Sequence, residues 1–248
     1  MPAASRSPIF RPKDGHVKKI LDRLSHLRPA DVSLTVLLAV LVTDLFVFQP
    51  IEVLSGWAKF LVDLVTILFI ILSILTVVGR SRATILFVAL TLAALILRGV
   101  LLAVPGIGVG YLQYVCALVA TGILAWLVLG LVLRSGRVTI HRIQGAVVVY
   151  LLLAMMWMQA YRLMAIYDPG AFVIMDEVKR VDTDVTSRLG FFSFSVITAA
   201  SFIDLTPVNP VARSLAMLES LTGQLYLVIL IARLVSLEVE ARHRDGER

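Results

Sequence analysis

The chain has 248 residues, of which 59% are hydrophobic and only 16% charged. A soluble domain carries about 25% charged residues, so this composition belongs to a membrane protein rather than a soluble globular one. The net charge of +6 is concentrated in short polar gaps between apolar runs, where the positive-inside rule places basic residues, and this argues against a nucleic-acid partner.

Roughly thirty mostly polar residues precede the first apolar run. A cleaved signal peptide carries its apolar core earlier, so the first span is expected to be retained. Within this N-terminal segment, Val17, Ile20, Leu21, Leu24 and Leu27 share one helical face, with Lys18, Lys19, Arg23 and Arg28 elsewhere. That pattern suits a basic amphipathic helix lying on an anionic lipid surface, or a solvated segment packed on the protein itself.

About 20 apolar residues span a bilayer. On that scale the sequence predicts six transmembrane helices, near 31–53, 57–78, 82–104, 108–134, 142–166 and 211–240. The basic gaps are the N-terminus, Arg80 and Arg82, the loop with Arg134, Arg137 and Arg142, and the C-terminal tail. They alternate with gaps that are apolar or acid-containing, which predicts a multi-pass protein of the cell membrane with both termini cytoplasmic. Asp44, Asp63 and Arg98 fall at a shared depth in the first three spans. Buried ions pair, so they are expected to form a structural charge cluster, with a sensor or proton relay as the sharper alternative. Span four has no arginine before its cytoplasmic end, which speaks against voltage sensing by this helix. The single cysteine, Cys116, lies inside span four and can form neither an intrachain disulfide nor a cysteine metal cluster.

Between spans five and six the pattern changes. Residues 167–186 are polar and mixed in charge, as in an extracellular turret. The run SRLGFFSFSVITA that follows is apolar enough to enter the bilayer and too short to cross it. Non-helical backbone at that depth is tolerated only where protein buries it or where it lines a watery cavity. A short helix with a non-helical return, a re-entrant loop, is the expected form.

Residues 142–240 resemble the pore domain of tetrameric potassium channels, most closely the bacterial two-helix-pore group. Phe191, Phe192, Ser193 and Phe194 match the start of that family's pore helix, and Thr198 its first filter threonine. Asp204, Thr206 and Pro207 match the filter exit, and Gly223 stands at the inner-helix hinge. The resemblance implies a homotetramer around one axis, an all-α membrane fold, and Gln224 facing a central cavity. It divides the chain into a basic N-terminal segment (1–30), a four-helix bundle (31–136), a channel-like pore domain (137–240) and a short tail (241–248).

The filter itself departs from the family. Where the family has T-V-G-Y-G, this chain has Ala199, Ala200, Ser201, Phe202 and Ile203. Backbone carbonyls that replace an ion's hydration shell need a twist that glycines permit. Left-handed backbone costs an ordinary residue about 1–2 kcal/mol, and Ser201 and Ile203 would incur it in each subunit. Ala199 also removes the threonine hydroxyl of the innermost ion site. The expectation is a cation channel without strong potassium selectivity, its mouth ringed by Asp204; the alternative is a non-conducting homologue with a structural or regulatory membrane role. A helix places Glu219 about 140° from Gln224. It should therefore face back toward Ser193, Ser195 or Thr198, as a brace for the loop or as an ion or proton site.

No enzyme is expected. The histidines His16, His26, His141 and His243 lie outside the spans without ligand spacing. A shared-proton pair of Asp44 and Asp63 has the simpler partner Arg98. No cofactor or metal is implied beyond permeant monovalent cations, and the implied partners are further copies of the chain and lipid.

Overall fold

In an apolar surround every backbone N–H and C=O must be paired within the chain, and helices do this locally. The computed structural model describes residues 29–43, 45–46, 82–103, 106–133, 139–174, 185–200 and 205–246. These residues form α1 (Pro29–Thr43), α2 (Arg82–Ala103), α3 (Ile107–Val132), α4 (Ile140–Tyr167), β1 (Phe172–Ile174), α5 (Val185–Ile197), β2 (Leu205–Pro207) and α6 (Pro210–Gly246).

Three helical segments are long and apolar enough to cross a membrane: Gly108–Val132, Ile140–Tyr167 and Pro210–Glu240. They cover the fourth, fifth and sixth predicted spans. The third predicted span falls on α2, a helix of 22 residues, of which Ile85–Leu101 form a shorter apolar helix. The first falls partly on α1, while the second, near 57–78, and the N-terminal surface helix lie outside the described residues.

Helical periodicity builds the first core. Leu34, Leu37 and Leu41 on α1, and Leu124, Val128 and Val132 on α3, recur every three or four residues and meet Val148, Val149 and Leu152 of α4, with Phe87 reaching in from α2. Tyr226 and Leu230 of α6 pack on the edge of this cluster. Thr35 Oγ1 bonds Gln144 Oε1 at 2.8 Å, joining α1 to the start of α4.

A second core surrounds α5. Leu189, Phe192 and Ile197 from α5 pack with Ala154, Trp157 and Tyr161 of α4, Phe172 of β1, Leu205 of β2 and Ala212 of α6. At its centre Tyr161, Phe172 and Phe192 meet edge to face, with ring centroids 5.0–5.7 Å apart, the arrangement aromatic quadrupoles prefer.

The helical fold also carries one small sheet. Phe172–Ile174 and Leu205–Pro207 form a two-stranded antiparallel sheet in which Ile174 pairs with Leu205 and Phe172 with Pro207. Helix α6 differs in extent rather than kind. It continues to Gly246, so residues 241–246 of the predicted tail are part of the same helix.

Gly145 sits where three helices converge. A Cβ there would lie 2.8 Å from a methyl of Val132 on α3, with Leu34 of α1 at 3.8 Å. Gly145→Leu is therefore expected to destabilise the detergent-solubilised protein by about 1–3 kcal/mol through overpacking. Thermal unfolding checks this, and an unchanged midpoint would show that the contact is slack.

Candidate functional site: the short helix and its return

Helix α5 has 13 residues, about 20 Å at helical rise, well short of the ~30 Å hydrocarbon core. Its C-terminus leaves four carbonyls without a partner inside the helix. Each one is satisfied. The Phe194 carbonyl accepts from the Thr198 N–H at 3.1 Å and from the Thr198 hydroxyl at 2.5 Å. Ser195 O accepts from Ala200 N at 2.8 Å, and Val196 O from Ala199 N at 3.1 Å. These last two bonds are the six-to-one and five-to-two pair of a Schellman turn. Ile197 O, the fourth, accepts from the Tyr150 hydroxyl of α4 at 2.9 Å.

A Schellman turn requires left-handed backbone at its penultimate position, usually supplied by glycine. Here Ala199 supplies it, with φ of 54°, the one positive-φ non-glycine among the described residues. Ser201 and Ile203, the positions predicted to bear that cost, lie outside the described residues, as do Phe202 and Asp204.

Gly223 brings α6 against this same helix end. A Cβ on Gly223 would lie 2.5 Å from Ile197 O and 2.6 Å from Ile197 Cγ1. Helix α6 runs through this point unbroken, so the local demand for glycine comes from this close approach. Gln224, next along, is exposed in the single chain.

One turn earlier, Glu219 is completely buried. Tyr161 Oη of α4 approaches its Oε2 at 2.5 Å, and Ser193 Oγ of α5 approaches its Oε1 at 2.5 Å. Ser193 Oγ also contacts the Ala154 carbonyl of α4 at 2.8 Å. A single carboxyl thus joins α4, α5 and α6. Of the three α5-region residues named as its candidate neighbours, the contacts are with Ser193; the Thr198 hydroxyl is turned onto its own helix.

The outer rim is held separately. Val208 N and Asn209 N both donate to Ala171 O. Asn209 Nδ2 donates to Asp168 Oδ2 at 2.8 Å, while Asn209 Oδ1 caps α6 by accepting from Val211 N at 2.8 Å. Pro210 stands at the first helical position, where its missing N–H is no loss. Arg213 Nε donates to Pro207 O at 2.9 Å. The end of α4, both strands and the start of α6 are thereby tied into one clamp.

Of the predicted charge cluster, Asp44 and Asp63 lie outside the described residues, and Arg98 is half-buried on α2. Among the described residues no group of three or more His, Cys, Asp or Glu side chains could hold a metal. Tyr150, Tyr161, Asp168 and Asn209 were missed by sequence reasoning. Only Asn209-Pro210, a capping residue before a first-turn proline, carried a usable signal. Comparison of the chain with protein-family models, curated proteins and solved structures gives no match.

Two outcomes test the helix end. Gly223→Ala forces a methyl into the Ile197 carbonyl, so amide exchange of Thr198 to Ala200 should rise about tenfold or more, as expected for loss of 1.4 kcal/mol or more of local stability. Ala199→Gly relieves the left-handed strain at some cost in chain entropy, and should stabilise by about 0.5–1 kcal/mol in thermal unfolding. A lower midpoint would contradict the left-handed assignment.

Proposed function

We propose that the chain is one subunit of a homotetrameric, potassium-channel-like cation channel of the cell membrane. Its spans number six, its termini are cytoplasmic, and its loop Ala199–Ile203 does not select strongly for potassium. The observation that carries this reading is the pairing of Ile174 with Leu205. The chain leaves the end of α4, makes an excursion that includes a helix too short to cross a bilayer, and returns to the strand beside its own starting point. That path fits a re-entrant loop, with β1 and β2 as its rim.

The exposed face of α6 supports assembly. Met217, Leu218, Leu221, Leu225 and Val228 are exposed together with Gln224, and this face must be covered by lipid or by other copies. One loop alone cannot enclose a pathway, so several copies around an axis are required.

The competing reading, a non-conducting homologue with a structural or regulatory role, draws on the Thr198 hydroxyl, which is committed to Phe194 O. Flux from vesicles containing the purified protein separates the two. The channel reading expects potassium and sodium to pass at comparable rates, with a larger organic cation as a gauge of pore width. Strong potassium preference would overturn the filter reading. Absence of flux across a range of pH and membrane tension would favour the non-conducting homologue.

A further inference from the structure

The contacts around Glu219 can be counted in protons. Three pairs of oxygens lie at hydrogen-bond distance: Tyr161 Oη with Glu219 Oε2, Ser193 Oγ with Glu219 Oε1, and Ser193 Oγ with Ala154 O. Each pair needs one hydrogen between its members. Tyrosine and serine hydroxyls hold one each, a backbone carbonyl holds none, and an ionised carboxylate holds none. Two hydrogens cannot fill three bonds. If Ser193 donates to the carboxyl, its contact with Ala154 O is two acceptors facing each other; if it donates to Ala154 O, the contact with Glu219 Oε1 is.

The count closes with one added proton. We infer that Glu219 is a neutral carboxylic acid that donates from Oε1 to Ser193 Oγ, and that this proton locks α5 to α4 and α6. Ser193 then passes its own hydrogen to Ala154 O, and Tyr161 donates to Oε2, so every oxygen in the chain is satisfied. The surroundings agree. Glu219 is 0% exposed and Ser193 is 0% exposed, and leaving a buried charge unpaired is costly. The titratable groups that face the carboxyl are Tyr161 and, further along α4, Tyr150, whose hydroxyl is engaged by Ile197 O. From α5 the facing group is the Ser193 hydroxyl. Among the described residues no cation contacts Glu219.

The lock is directional. Its neutral form links three helices, whereas removal of the proton leaves Ser193 with two acceptors and one hydrogen. Ionisation therefore loosens α5 where it packs against the two long helices. The site is a proton-binding position whose occupancy sets how firmly the short helix is held, and it does so whether or not ions pass the loop beyond it.

The test uses the full chain in lipid vesicles. The infrared difference spectrum of wild type against Glu219→Gln should show the carbonyl stretch of a neutral carboxylic acid present in the wild type and lost in the variant. A carboxylate band pair in its place would overturn the inference. Amide exchange of Val185–Ile197 gives a second readout. Glu219→Gln can still accept from Tyr161 and donate from its amide to Ser193, so its exchange should stay within about twofold of wild type. Glu219→Ala loses both bonds and should speed exchange about tenfold or more. Ser193→Ala, which removes only the hydroxyl, should speed it by a smaller factor, and serves if Glu219→Ala does not assemble. Exchange in Glu219→Gln as fast as in Glu219→Ala, or no change in Ser193→Ala, would sink the idea.

Discussion

A helix end leaves four carbonyls with no intrahelical partner, and where protein buries that end, as it does at Ile197, the partners must come from the chain itself. The arrangement around α5 is organised by that constraint. Three of the four carbonyls are satisfied by the chain folding back on itself through Thr198, Ala199 and Ala200. The fold-back fixes the direction in which the backbone leaves the helix. The fourth, on Ile197, is satisfied from another helix by Tyr150, which in turn stacks on Tyr226 of α6 with ring centroids 5.9 Å apart. The end of one short helix thus dictates contacts on both of its long neighbours.

Two features of α6 follow from the same demand. The Tyr150 hydroxyl and the backbone of α6 both converge on Ile197, and there is room for both only if position 223 has no side chain. One turn earlier the neighbour is a serine hydroxyl rather than a carbonyl, and a carboxyl at 219 fits it. Glycine and glutamate four residues apart are opposite in size and polarity. They serve one contact surface because helix positions i and i+4 lie on one face. The rim bonds among Asp168, Asn209 and Ala171 then prevent the two long helices from spreading at that end.

How much of this was legible beforehand depends on the range of the interaction. The long helices announce themselves because twenty or so apolar residues in a row have few other uses. The shortness of α5 was equally plain, since polar residues bound the run on both sides. The orientation of Glu219 away from Gln224 needs only the helical angle, and the two residues lie on buried and exposed sides of α6. The partner tyrosine did not show itself: Tyr161 is 58 residues away in sequence, and several hydroxyls could have met the carboxyl. Strands of three residues carry too little alternation to be recognised, and Phe172–Ile174 reads equally well as a loop end. The left-handed turn at Ala199 was hidden for another reason, because tertiary contacts hold an alanine where propensity favours glycine.

Helix α6 adds a mechanical consequence. Its 37 residues make a rod about 55 Å long, and the part beyond Gly223 extends roughly 35 Å. No proline or break interrupts that stretch, so any tilt about the close Ile197–Gly223 contact would be carried along it as by a stiff arm. A tilt of roughly 10° about that fulcrum carries the far end about 6 Å sideways, given the rise of an α-helix. A displacement of a fraction of an ångström beside the short helix is thereby enlarged severalfold at the opposite end of the rod. The leverage runs both ways, so a sideways force applied near Arg242 would bear on the Glu219–Ser193 contact, about 6 Å from the fulcrum, as a small, strong push.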